Sequence, residues 1–302
     1  MLLFYDKDGL KFCEEYFMKK LIVLLVLFVC TTVLAGESER KVMVKQDPDG
    51  GIRKVESVDG IPNGKYERFD NKGQLREEGT YSAGKRIGRA VVYYDSGKIA
   101  IENSYSNDKK DGIERKYYQD GILAQEGAYK DGVPDGMWRS YDKSGQLILE
   151  GGYKNGKQDG LYKSYGLDGK LKEEIHFKND VQDGFYKRYD EEGKLLVEGN
   201  YDNGIPNGSW NSYYPNGDLQ EEATMKNGLR EGKYVAYYEN RQIDNIGNYH
   251  NNQREGHWKF YNENGDIMIE CDCHEGKCFT SDGEEVEIEA TNSVDELGVY
   301  RK

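Results

Sequence analysis

Apolar positions along this chain come in short runs, and no window sustains an apolar period of 3.6 residues. Runs rich in Tyr, Trp, Ile and Leu alternate with Gly-bearing turns, which reads as strand–turn–strand–turn. Residues 135–156, DGMWRSYDKSGQLILEGGYKNG, hold one full unit, and nine versions of it follow one another. Its anchor glycine recurs every 24 residues without insertion: Gly64, Gly88, Gly112, Gly136, Gly160, Gly184, Gly208, Gly232 and Gly256. Five places after each anchor stands Phe69 or a Tyr (Tyr141, for example), and eleven places after it a Leu or Ile. A fixed period of this length is the signature of a repeat architecture.

The unit predicts strands near 137–142 and 146–153, repeated every 24 residues. Between them, Lys143-Ser144-Gly145 has the three-residue hairpin form, with Gly where a left-handed backbone is required. Equivalent glycines recur at 73, 97, 121, 169, 193, 217 and 265; only Arg241 departs. The second turn, Lys154-Asn155-Gly156, reads as the same form. This loop sets Tyr141 opposite Leu147, Arg139 opposite Leu149 and Trp138 opposite Glu150. One face then carries Tyr141, Leu147, Gly151 and Tyr153, and the other Trp138, Ser140, Glu150 and Lys154. A bulge at the Asp-Gly anchors would shift this assignment. The glycines at 127, 151 and 199 leave room for a neighbouring ring or mark a bulge.

The fold class expected is all-β: an elongated, single-layer antiparallel sheet of stacked hairpins, its contacts almost all between neighbours. Eighteen strands about 4.8 Å apart would extend on the order of 85 Å. Residues 60–278 hold the repeats, 36–59 a degenerate capping hairpin, and 279–302 an acidic cap in which Val286 and Ile288 alternate with glutamates as a closing edge strand.

Upstream the text changes. Residues 1–17 are mixed, with Met18 a plausible start. Residues 18–35 run from Met18-Lys19-Lys20 through LIVLLVLFV to Val33-Leu34-Ala35, the pattern of a secretory signal. The apolar run is short for a membrane span, though an uncleaved anchor is the alternative. The chain is therefore expected to be exported, as a periplasmic, cell-surface or secreted protein. Its net charge of −13 opposes nucleic acid and anionic membrane as partners. An apolar fraction of 36% with 25 Tyr suits a thin sheet with half-wet faces, since a single large core needs roughly 45–50%.

With these residues in place, the pattern G-x-[W/Y]-x-x-Y-x-x-x-G-x-L-x-x-E-G-x-Y-x-x-G resembles the MORN-type repeat, in the bacterial variant seen in YwqK-family antitoxins. The resemblance covers about 60–278, with departures at Arg241, Ile246 and Cys273. It implies a sheet of hairpins that binds or scaffolds. An antitoxin-like role is implied too, but an export signal would part this chain from a cytoplasmic toxin.

Three constellations carry candidate chemistry. A ring recurs two places after most anchors: Tyr66, Trp138, Tyr162, Tyr186, Trp210, Tyr234 and Trp258. It serves either as packing or as an exposed platform for a partner or a sugar face. A Glu recurs fourteen places after the anchor, including Glu126, Glu150, Glu174 and Glu198, with Ile246 the exception. Each either accepts a hydrogen bond from a turn amide or a neighbouring Tyr hydroxyl, or joins an acidic binding ladder. Eight equivalent copies argue against catalysis, where a site would be unique. The third is Cys271-Asp272-Cys273-His274-Glu275-Gly276-Lys277-Cys278. In an exported chain a Cys273–Cys278 disulfide is the default, leaving Cys271 over. A metal site with His274 is the alternative, but its spacing matches no standard finger, so no metal is assigned.

No nucleophile–base pair, phosphate loop or cofactor motif is present. The reading is thus a non-enzymatic exported scaffold without cofactor, binding a protein partner along one face. A glycan- or cell-wall-binding module using the Trp/Tyr column is the alternative.

Overall fold

The computed structural model describes residues 38–288, so the expectations for 1–35 and for the tail beyond 288 lie outside the described residues. The described chain is all-β, one sheet of 24 antiparallel strands with no helix. Successive long strands pair with one another, as Val133–Tyr141 does with Leu123–Lys130 and Leu147–Lys154, while the two-residue strands Lys109–Lys110 and Ile205–Pro206 pair only with the strand before them. The leading hairpin is formed by Arg40–Gln46 and Ile52–Val58. At the other end a two-residue strand, Glu285–Val286, closes on Lys277–Phe279.

Turn chemistry explains the hairpins. In the first loop, Asp142 Oδ1 accepts from the amides of Ser144 and Gln146, and Gly145 takes φ 86°. This is the expected three-residue form. The second turn differs from expectation. Lys154 pairs with Lys157, so the loop is only Asn155-Gly156, both left-handed at φ 51° and 85°. Two successive left-handed residues make the tight turn whose twist matches a hairpin. The Asp before the anchor supports it: Asp135 Oδ2 accepts the Asn155 amide at 3.1 Å, and Asp111, one repeat earlier, and Asp183, two repeats later, do the same. The Asp-Gly motif is therefore turn chemistry.

Two bulges per unit set the faces. At the anchor, Tyr153 pairs with Gln158 but Gly151 with Tyr162, so residues 159–161 oppose Gly152 alone. After the ring, Ser140 pairs with Leu149 but Tyr141 with Leu147, which makes Ile148 the extra residue. The Tyr141–Leu147 pair is as expected. The other two pairs are corrected: Arg139 lies opposite Glu150, and Trp138 opposite Gly151. A one-residue slip exchanges faces. Trp138, Ser140, Leu149, Gly151 and Tyr153 therefore share one face, and Arg139, Tyr141 and Glu150 share the other.

The first face is the core. Trp258 is wholly buried, and Trp210, Tyr234 and Tyr66 nearly so, at 2%, 3% and 5% exposure. Each ring meets its neighbours edge-on or stacked, as Trp210 does Tyr201 at 5.5 Å and Tyr186 at 5.8 Å. The expected room at glycine is real. A Cβ on Gly127, Gly199 or Gly247 would lie 2.1, 2.3 or 2.2 Å from the ring of Trp138, Trp210 or Trp258.

Candidate functional site

The seven ring residues lie on the core face, so the expectation of a solvent-exposed platform is overturned for this column. Tyr66, Trp210, Tyr234 and Trp258 are buried; Trp138, Tyr162 and Tyr186 are half-buried. The reason is the bulge register, which sets each ring against the Tyr column of Tyr129, Tyr153 and Tyr201. Even the polar handles are internal: the Nε1 groups of Trp138, Trp210 and Trp258 donate to the backbone oxygens of Ala128, Asn200 and Asn248.

The glutamates lie on the opposite face and form a ladder. Seven of the eight accept from the Tyr hydroxyl of the following unit: Tyr93 to Glu78, Tyr117 to Glu102, Tyr141 to Glu126, Tyr165 to Glu150, Tyr189 to Glu174, Tyr213 to Glu198 and Tyr237 to Glu222. A cation joins on the same face: Arg139 pairs with Glu150, Lys163 with Glu174, Lys187 with Glu198 and Lys259 with Glu270. The Tyr213 hydroxyl, ahead of Lys187, holds the Glu198 carboxyl below its ordinary range. Tyr93 and Lys65 do so for Glu78. Burial, followed by the carboxylate partner, pushes the phenols of Tyr165, Tyr189 and Tyr213 up to about 12. The candidate glutamates Glu126, Glu150, Glu174 and Glu198 thus have partners inside the array. Their first chemistry is to join unit to unit.

Where Ile246 replaces Glu, its partner is Val235, 1% exposed. The polar pair has become an apolar one. A second Tyr ladder escaped the sequence reading: Tyr94, Tyr118, Tyr214 and Tyr238 donate to the backbone oxygens of Tyr117, Tyr141, Tyr237 and Tyr261. Its signal was the Tyr-Tyr doublet recurring at 24 residues.

The exposed feature of the ladder face was also missed. One place after the anchor stand Ile113, Met137, Leu161 and Phe185 in four consecutive units. Ile113, Met137 and Phe185 are exposed at 44%, 45% and 37%, and Leu161 is half-buried. Their cross-strand partners are Ala128, Gly152, His176 and Asn200; those of Ile113 and Met137 are small, and the His176 ring lies 6.0 Å from that of Phe185. The Arg/Lys–Glu–Tyr ladder borders this stripe on one side.

At the C-terminal end, Cys273 and Cys278 form the expected disulfide. They are cross-strand partners at the last turn, in the places held by Tyr153 and Gln158 in an earlier unit. Cys271 is free and buried. His274 does not join the cysteines; its exposed Nδ1 meets Glu255.

Comparison with known proteins agrees with the repeat. A family model described as the MORN repeat variant matches residues 62–83, 86–107, 110–131, 134–155, 158–179, 182–203, 206–227 and 254–272, together more than half of the chain. The unit that it passes over is the one with Arg241 and Ile246. No curated protein matches the chain. Among solved structures, one described as the crystal structure of TcdB2-TccC3 without its hypervariable C-terminal region is similar at 13% identity, over 78% of this chain and 17% of that chain, with a TM-score of 0.20. The chain thus spans about a sixth of that protein's length.

Proposed function

This chain belongs to the MORN repeat variant family, and from that premise we propose that it is an exported, non-enzymatic scaffold that binds a protein partner along the ladder face. The repeat scaffold is what the family supplies. Export is the expectation from residues 18–35, and the observation that carries the binding face is the stripe of Ile113, Met137, Leu161 and Phe185. Monomeric soluble proteins rarely expose a contiguous apolar patch larger than roughly a few hundred Å², and larger ones mark interaction sites. Four units about 9.6 Å apart would present it over roughly 29 Å. The flanking Arg139, Glu150, Lys163, Glu174 and Lys187 supply a polar rim, the anatomy of a protein interface. With a net charge of −13, a partner with basic groups beside its apolar contact is favoured, and anionic lipid is not.

A glycan reading rested on the Trp/Tyr column, whose rings are core. The antitoxin-like role would need the chain to remain with a cytoplasmic target. The experiment is fractionation of cells, followed by cross-linking of the native chain and of an Ile113→Ser, Met137→Ser, Phe185→Ser variant in the envelope fraction. A mature N-terminus near Gly36 in the exported fraction and a cross-linked protein lost in the variant support the proposal. A cytosolic chain would overturn the exported part. An unchanged cross-link would overturn the binding face.

A further inference from the structure

The last unit breaks the ring pattern in a chemically specific way. Cys271 stands fifteen places after its anchor, where Gly127, Gly151, Gly199 and Gly247 stand in theirs, and Cys273 stands in the Tyr153 place. Cys278 follows in the place of Gln158. All three side chains fall on the core face, because Trp258 pairs with Cys271 and Gly256 with Cys273. Each is no more than 3% exposed, and their sulfurs lie within 4.8 Å of one another. Tyr234, Trp258, Val286 and Ile288 belong to the same apolar cluster. A disulfide needs two of these cysteines; the third has no part in it.

We propose that, once the Cys273–Cys278 disulfide is reduced, Cys271, Cys273 and Cys278 form a three-thiolate site for a soft monovalent cation of the copper(I) class. A cation about 2.3 Å from each of three coplanar sulfurs sets those sulfurs about 4 Å apart; with the disulfide formed all three lie within 4.8 Å of one another, and on reduction the Cys273 and Cys278 sulfurs must move apart to that distance. Thiolate ligands in an apolar pocket select soft cations. Zinc takes four ligands in closed sites, and the described residues add no fourth His, Cys or carboxylate to the group. His274 is on the other face, held by Glu255.

The steps balance. A dithiol reductant gives two electrons and two protons to the sulfur–sulfur bond, which breaks into two thiols while the reductant becomes a disulfide. The cation then displaces the thiol protons and keeps its oxidation state. The site is therefore closed in an oxidising compartment and open in a reducing one, a property distinct from the partner-binding face.

The test uses the full chain carrying Cys13→Ser and Cys30→Ser, so that only these three cysteines remain. The chain, with its disulfide reduced or intact, is titrated without oxygen with copper(I) against a chromophoric copper(I) chelator. One equivalent retained per reduced chain and none per oxidised chain is expected, with retention weakened at least about tenfold by Cys271→Ser. No retention by the reduced chain, retention unchanged by Cys271→Ser, or zinc outcompeting copper(I) would each overturn the proposal. Because the serine variant can fail to fold, alkylation of the reduced chain is followed as well. Copper(I) is expected to slow labelling of all three thiols, and equal labelling with and without it would contradict the site.

Discussion

Trp210 and Gly199 show at the residue scale how the sheet makes a core without a second layer. The ring lies flat over the glycine of the preceding unit and is 2% exposed. Trp210→Ala removes one of the largest buried groups, and a loss of roughly 3–5 kcal/mol is expected in urea unfolding. Gly199→Ala tests the same contact from below. Its methyl group would lie 2.3 Å from the ring, so overpacking should cost about 1–3 kcal/mol. If both variants melt with the native chain, the ring column is not the core. The ladder face has its own residue-scale signature. The carboxyls of Glu78, Glu102 and Glu198 are held down in the fold, so their contribution is fully present above the unfolded value of 4.5 and is lost as pH falls through the depressed one. The phenols of Tyr165, Tyr189 and Tyr213 are held up near 12. Their contribution is intact below the ordinary 10 and is lost as pH rises toward 12. Stability followed by circular dichroism should therefore fall at both ends. Phenylalanine in place of Tyr165, Tyr189 and Tyr213 should flatten both limbs, since the same hydroxyls hold down Glu174 and Glu198.

At the scale of the element, the hairpin was legible and its register was not. The 24-residue step, the turn glycine at 145 and the Tyr141–Leu147 pair followed from spacing, because turns have strict backbone demands. The bulge at Ile148 left no mark on that spacing: each unit carries it, so counting from unit to unit returns the same period with or without it. That single unseen residue exchanged the faces and made a buried column look like a platform. The hydroxyl-to-glutamate ladder was legible as one of two readings, since a Tyr and a Glu recur at matching places. Arg241 offers a test of turn chemistry. It holds φ 69° where the other units have Gly, a conformation costing an L-residue roughly 1–2 kcal/mol. Its exposed pair with Asp218 returns about 0–1 kcal/mol. Arg241→Gly should therefore leave stability unchanged or raise it by up to about 1–2 kcal/mol in thermal unfolding. A clear loss would mean that the ion pair outweighs the strain.

For the whole molecule, the division of labour between faces is the central claim. The ring face consumes its aromatics in packing, the Arg/Lys–Glu–Tyr ladder ties unit to unit, and the stripe from Ile113 to Phe185 is the surface proposed for a partner, in preference to the exposed Val133, Val181, Ile205 and Leu229 beside the turns. Stability and binding should then separate cleanly by face, since exposed substitutions usually cost within about 0.5 kcal/mol. The most direct measurement compares two variants side by side for melting temperature and for partner cross-linking in the envelope fraction. Ile113→Ser, Met137→Ser, Phe185→Ser should melt with the native chain and lose the cross-link. Trp138→Ser, Trp210→Ser, Trp258→Ser should melt early. A stripe variant that keeps the cross-link, or a tryptophan variant that melts with the native chain and loses it, would contradict the account.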